Sequence, residues 1–332
     1  MDEQAFDRAL VALRSAAGDA PLSIFIDPTL RDPTQHDEAL QAELTQAIEG
    51  ANASRHVLPS IHDDFDPSRQ PFLLHLACEA RAERVVTAAV RIALNEAVDT
   101  ESPRFTGRTV CGWIVHDQQP SQTAQALVQA ARLFKPDGTR HYLRLWDPRV
   151  CWHLPACLPA AHWADIRRAM GQWMFFDPLR QLVALDSFDP NPLAAHTLQG
   201  QTTHRADAQT WQRLERIAPV NKLLAMSWDW GLLPNAALGR QAEELVVRSV
   251  EHGFDSEQDV LVFAACGLTS HPQFDQHPEV RDALANAASA GEPLRSALER
   301  FDETFWTQLQ ANTQWLKEAR HVQTAPSKAP SP

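Results

Sequence analysis

Glycine is scarce here, at 12 of 332 residues, and neither a G-x-G-x-x-G run nor a P-loop pattern occurs. A phosphate cradle needs glycines close together so that backbone N–H groups can approach the anion, and the chain lacks the material for one. G-x-S-x-G is missing too, so no serine sits on a strained nucleophile elbow. There is no C-x2-C knuckle, and the five cysteines are scattered and odd in number, as expected of reduced thiols rather than a disulfide framework. No block of Lys and Arg interrupts a formal charge of −12, which argues against a surface that tracks nucleic acid. No apolar stretch reaches bilayer length, so no membrane partner is expected. The opening "MDEQAFDRALVALRSAAG" lacks a basic start and a continuous apolar core. It suits an amphipathic helix through Phe6, Leu10, Val11 and Leu13 rather than a secretory signal, and a cytoplasmic location is expected.

What is present is an ordinary globular composition, 44% hydrophobic and 22% charged, in a chain long enough for two domains. To about residue 190 short apolar runs alternate with helical stretches. "LSIFID" (22–27), "FLLHLA" (72–77) and "CGWIV" (111–115) read as strands, and "ERVVTAAVRIALNEAV" (83–98) as a helix. Pro120 suits a helix entrance with Ser121 as cap, and the helix would run through "SQTAQALVQAARLF". Pro136-Asp137-Gly138 marks a tight turn before the apolar run Tyr142–Trp146, and "QWMFF" and "QLVALDSF" flank Asp177-Pro178 as a hairpin. These features predict an α/β (α+β) N-terminal lobe over 1–190, a mixed sheet flanked by helices. A Pro, Gly and Thr-rich linker is expected over 191–207, an all-helical lobe over 208–320 and a disordered tail over 321–332. Gly253 reads as a helix stop, with Asp255 or Ser256 capping the next helix.

Three groups of residues invite a chemical reading. Cys151, His153, Cys157 and His162 supply zinc-type ligands, but at nonstandard spacing, and Leu154 and Leu158 favour a buried helix. "HDDFD" (62–66) offers His62, Asp63 and Asp64 to a divalent cation, with His75 or His116 as further ligands. A metal-dependent hydrolase on that cluster is the alternative enzymatic reading, set against a solvated acidic loop. Cys266 lies in a helical run, where a buried inert thiol is expected. Ten tryptophans accompany a single tyrosine; most suit a core, while Trp228 and Trp230 in "SWDWG" are candidates for binding a partner protein.

The stretch "HYLRLWDPRV" (141–150) closes an apolar run with an acid, a ring and a base. Asp147 is placed to cap a helix with Pro148 at its first position, and Arg149 to reach a carboxylate or carbonyl on a neighbouring strand end. With its neighbours, "GWIVHDQQPSQTAQALVQAARLFKPDGTRHYLRLWDPRVCWHLPACLP" resembles the core of the type VI secretion effector adaptor family, the Tap-type chaperones. The likeness rests on Gly112-Trp113, the helix from Ser121, Asp137-Gly138 and Arg144 through Val150, with Asp147-Pro148-Arg149 as fingerprint. It covers roughly residues 20 to 180, the size of one domain. The helix-like length of 79–110 departs from the family pattern as an insertion would. The resemblance implies a non-catalytic protein without metal or cofactor. Such a protein binds a toxic effector in the producing cell and helps to place it on the VgrG spike.

Overall fold

The computed structural model describes residues 3–18, 20–29, 38–51, 53–59, 70–76, 82–98, 108–115, 119–178, 180–185 and 204–311. Residues 191–203 of the expected linker over 191–207, and the expected tail, lie outside them. The chain divides into two compact units, 1–217 and 218–332.

The first unit begins with α1 (Glu3–Ala17), β1 (Leu22–Ile26), α2 (Glu38–Gly50), β2 (Ala53–Val57), β3 (Phe72–Leu76) and α3 (Ala82–Val98). It continues with β4 (Val110–Val115), α4 (Pro120–Ala131), β5 (Arg132–Phe134) and β6 (Arg140–Tyr142). Then come α5 (Pro148–Cys151), α6 (Leu154–Cys157), α7 (Ala160–Met170), β7 (Gln172–Phe176) and β8 (Leu182–Ala184). Six strands form one sheet in the order β2-β3-β1-β4-β7-β8, and β5 pairs with β6 as a separate ribbon. Sheet and helices together are the α+β lobe that the sequence predicts. The term mixed narrows, because every ladder of the sheet is antiparallel.

Both faces of this sheet are covered, which is why its central strands read as unbroken apolar runs. On one face Ile24, Leu74, Trp113 and Met174 pack against Leu10 and Leu13 of α1 and Val85 and Ala89 of α3. On the other, Phe25, Leu73, Ile114, Trp173 and Phe175 meet Leu127 of α4, Ile166 of α7 and Trp146. The alternation of Phe25 with Ile24, and of Trp173 with Met174, is the period-two geometry of a strand.

Several local expectations are corrected. The α4 helix is capped by Gln119, not Ser121, and makes no side-chain cap bond, since Pro120 already occupies its first turn. It stops at Ala131, and the three residues assigned to its end form β5. The run Tyr142–Trp146 is not a strand: pairing ends at Tyr142, after which Leu145 and Trp146 turn inward and the Asp147 N–H closes a turn on the Arg144 carbonyl. "CWHLPACLPAAH" is not one helix, because Pro155 and Pro159 divide it among α5, α6 and α7.

The expected start of the helical lobe coincides with α8 (Ala208–Met226), but the compact division falls inside that helix, beside Pro219. Leu214 and Ile217 belong to the core of the first unit. The second unit continues with α9 (Ala236–Glu251), α10 (Glu257–Thr269), α11 (Pro278–Ala290), α12 (Leu294–Leu298) and α13 (Glu303–Ala311). Gly253 stops the turn after α9 at φ 89°, and Ser256 caps α10 by accepting from the Asp259 N–H, both as expected. The buried Asp275 carboxylate pairs with Arg248 and His252 of the α9 end at 2.5 and 3.1 Å. Among the described residues no helix is long and apolar enough to cross a membrane.

Candidate functional site

Strands β1 and β7 run the same way on either side of β4, so their C-terminal ends and the approach to β4 share one end of the sheet. Polar residues gather there. Asp27 follows β1, Arg108 and Thr109 precede β4, Asp177 follows β7, and Glu96 lies in the last turn of α3. All but the intermediate Thr109 are buried, Asp27 completely. The fingerprint corner joins this group through Trp146, whose Nε1–H donates to Asp27 Oδ2 at 2.6 Å.

Each acid in the cluster already accepts from a nearby donor. Asp27 Oδ1 accepts the Thr29 N–H at 2.9 Å and the Thr29 hydroxyl at 2.5 Å. Glu96 takes the N–H groups of Thr109 and Val110 at 2.9 and 3.2 Å, and Asp177 that of Gln181 at 2.8 Å. Asp147 caps α5 by accepting the Arg149 N–H at 3.0 Å, as expected, with Pro148 at the first helical position. The Arg149 side chain also bonds this carboxylate, donating from Nε and Nη2 to the two oxygens of Asp147 at 3.1 and 2.7 Å. Arg108 donates from Nη1 to the Phe176 carbonyl at 2.6 Å, joining the approach to β4 with the end of β7.

Electrostatics follow from the enclosure. Burial and then the neighbouring Arg149 charge lower the Arg108 pKa, against which Asp147, Glu96 and Asp177 work. For Arg149 burial also opposes the charge, but Asp147 outweighs it and the pKa rises. The Cys111 thiol beside them is pushed well up by burial and then by Asp27, so it is not a nucleophile at neutral pH. Burial likewise raises Cys151, and lifts Cys266 to about 12. With its carboxylates accepting from nearby donors, Arg149 paired with Asp147 and Arg108 bonded to a carbonyl, the cluster ties the sheet end to the strand-to-helix joint at Asp147.

Gly112 and Trp113 sit on β4 a short way in from this end. A Cβ at Gly112, whose φ is +153°, would lie 2.5 Å from the Met174 carbonyl oxygen and 2.8 Å from Trp173 Nε1. Trp173 therefore lies flush over Gly112, with Phe25 between it and Trp146 at ring distances of 5.5 and 5.3 Å. Trp113 faces the other side of the sheet, edge-on to Phe176. Arg144 is exposed beside the corner and takes no part in the cluster. Trp228 and Trp230, half-buried in the turn that follows α8, belong to the second unit; Leu233 next to them is 62% exposed.

The zinc-type set does not assemble. Among the described residues no group of three or more His, Cys, Asp or Glu is placed to hold a metal ion. Cys151 and Cys157 are buried in the core, and His162 turns to the Ala130 carbonyl. Of the hydrolase cluster, His62, Asp63, Asp64 and His116 lie outside the described residues, while His75 shares a hydrogen bond with Ser23 at 3.2 Å.

The sequence reading missed Asp27, Glu96 and Arg108, and also a histidine pair. The imidazoles of His162 and His204 stack at 4.0 Å, and His204 bonds Asp165 at 2.8 Å. A signal for Asp27 was available: Asp27-Pro28, Asp147-Pro148 and Asp177-Pro178 each close an apolar run, whereas Glu96 and Arg108 carry no such mark. No protein-family model, curated protein or solved structure matches this chain.

Proposed function

We propose that this chain is a type VI secretion effector adaptor that binds a toxic effector in the cytoplasm of the producing cell and promotes its loading onto the VgrG spike without itself catalysing a reaction. The observation that carries the reading is the Asp147-Pro148-Arg149 corner. The residues that give the sequence its likeness to Tap-type chaperones are spent on an enclosed joint, with Trp146 anchored on Asp27 and Asp147 saturated by Arg149. A fingerprint of this kind preserves a scaffold and leaves recognition to surfaces elsewhere. Trp228, Trp230 and exposed Leu233 are the surface assigned to the effector, since half-buried indoles supply contact area at small entropic cost. Co-expression with a candidate effector taken from its gene neighbourhood, followed by size-exclusion chromatography with and without VgrG, tests the proposal. A stable complex is expected, and failure to bind either protein overturns it.

A further inference from the structure

Among the described residues, the segment that leads into α8 is bridged to β5 at Phe134. Phe134 of β5 donates its N–H to the His204 carbonyl at 2.9 Å, and the Ala206 N–H returns to the Phe134 carbonyl at 2.8 Å. Beside this bridge the His204 ring lies on the His162 ring, 4.0 Å apart and 14° from parallel. Because a carbonyl only accepts, the 3.2 Å contact between His162 Nε2 and the Ala130 oxygen puts the proton on Nε2. His162 Nδ1 is then a buried lone pair to which no described group donates. His204 is drawn the other way: its Nε2 faces Asp165 Oδ2, while Arg168 holds the other oxygen at 2.7 Å.

We propose that the stacked His162–His204 pair is a proton-operated latch, closed while His162 is neutral and opened when His162 takes a proton, releasing residues 204–206 from β5. Protonation at Nδ1 would place a cation in the core with no described acceptor for the added proton, 4.0 Å from the His204 ring. The closed stack cannot keep that charge enclosed. His162 is fixed in α7 and 1% exposed, whereas His204 rides on a segment joined to β5 by two backbone bonds and to the following turn by the exposed Arg205, so His204 is the side that leaves.

The other charged groups nearby are already turned to other partners. On the segment, Arg205 donates to the Pro136 carbonyl and Asp207 caps α8 through the Thr210 N–H. On β5 and β6, Lys135 and His141 approach the Trp211 ring at 4.6 and 5.0 Å, and Arg140 lies over Tyr142. Arg132 bonds Gln129, and α4 otherwise presents the Ala130 carbonyl. Asp165 is the carboxylate that faces the pair, and its charge is shared with Arg168. The latch lies wholly within the first unit and is independent of the effector-adaptor proposal.

Hydrogen exchange on the full chain, corrected for the intrinsic pH dependence, tests it at the Phe134 and Ala206 amides. Their opening should grow by roughly 20-fold between pH 7 and pH 5 if uptake of one proton on opening drives it. Amides at the centre of the sheet, such as Ile24 and Trp113, should stay protected throughout. His162→Phe, which keeps a buried ring but cannot titrate, should abolish the acid response, and His162→Gln, which keeps a donor for the Ala130 carbonyl, should do the same if the first variant does not fold. The latch is overturned if Phe134 and Ala206 exchange independently of pH, if the sheet amides open with them, or if the response survives in the variants.

Discussion

Asp147 accepts three bonds from Arg149, one from its backbone and two from its guanidinium. Removing the carboxylate therefore costs more than a helix cap. It also takes a bidentate carboxylate away from a guanidinium whose side chain is 28% exposed beside buried Arg108. Asp147→Ala is expected to lower stability by about 2 kcal/mol or more, beyond the ~1 kcal/mol of a lost cap. Denaturant unfolding measures this, and an unchanged midpoint with lost partner binding would make the corner an interface instead. At His162 burial, and secondarily His204, push the pKa down from 6.5 to about 4. The unfolded chain thus takes up the proton first, so this residue's contribution is intact above about pH 6.5 and lost as pH falls through 4. The melting temperature should decline over that window, and less steeply in His162→Phe.

Among the elements, glycines mark the closest approaches. Gly112→Ala on β4 would drive a methyl into the Met174 carbonyl of β7 at a φ that side chains avoid. A loss of at least about 2 kcal/mol in denaturant unfolding is expected, with Trp173 fluorescence shifted in the folded state. Gly267 of α10 lies so close to Leu245 of α9 that a Cβ would collide with it; there a flexible side-chain tip can yield, so Gly267→Ala should cost less, about 1 kcal/mol. Elements of this kind were legible where local chemistry decides. Apolar runs closed by Asp-Pro gave β1 and β7, Pro120 gave the entrance of α4, and Gly253 with Ser256 gave the joint between α9 and α10. They were illegible where tertiary contacts decide. Tyr142–Trp146 has the composition of a strand, but Trp146 is pulled from it by Asp27, 119 positions away in the sequence. His204 and Asp165, 39 positions apart, carry no local pattern at all.

For the whole molecule, the two compact units divide the work that the proposal assigns. The first spends its aromatic and ionic residues internally, on Phe25, Trp146, Trp173 and the charged sheet end. The second carries the half-buried Trp228 and Trp230 beside the exposed Leu233. Replacing Trp228 and Trp230 singly by alanine should each weaken effector binding by about 1–2 kcal/mol in titration calorimetry, while circular dichroism stays that of a folded helical unit. The most direct measurement is the purified chain mixed with a candidate effector taken from its gene neighbourhood, followed by multi-angle light scattering across the eluted peak. A complex whose mass equals the sum of the two proteins, and which the Trp228→Ala, Trp230→Ala double variant fails to form, is the predicted result. Two separate peaks for the unaltered proteins would contradict the account.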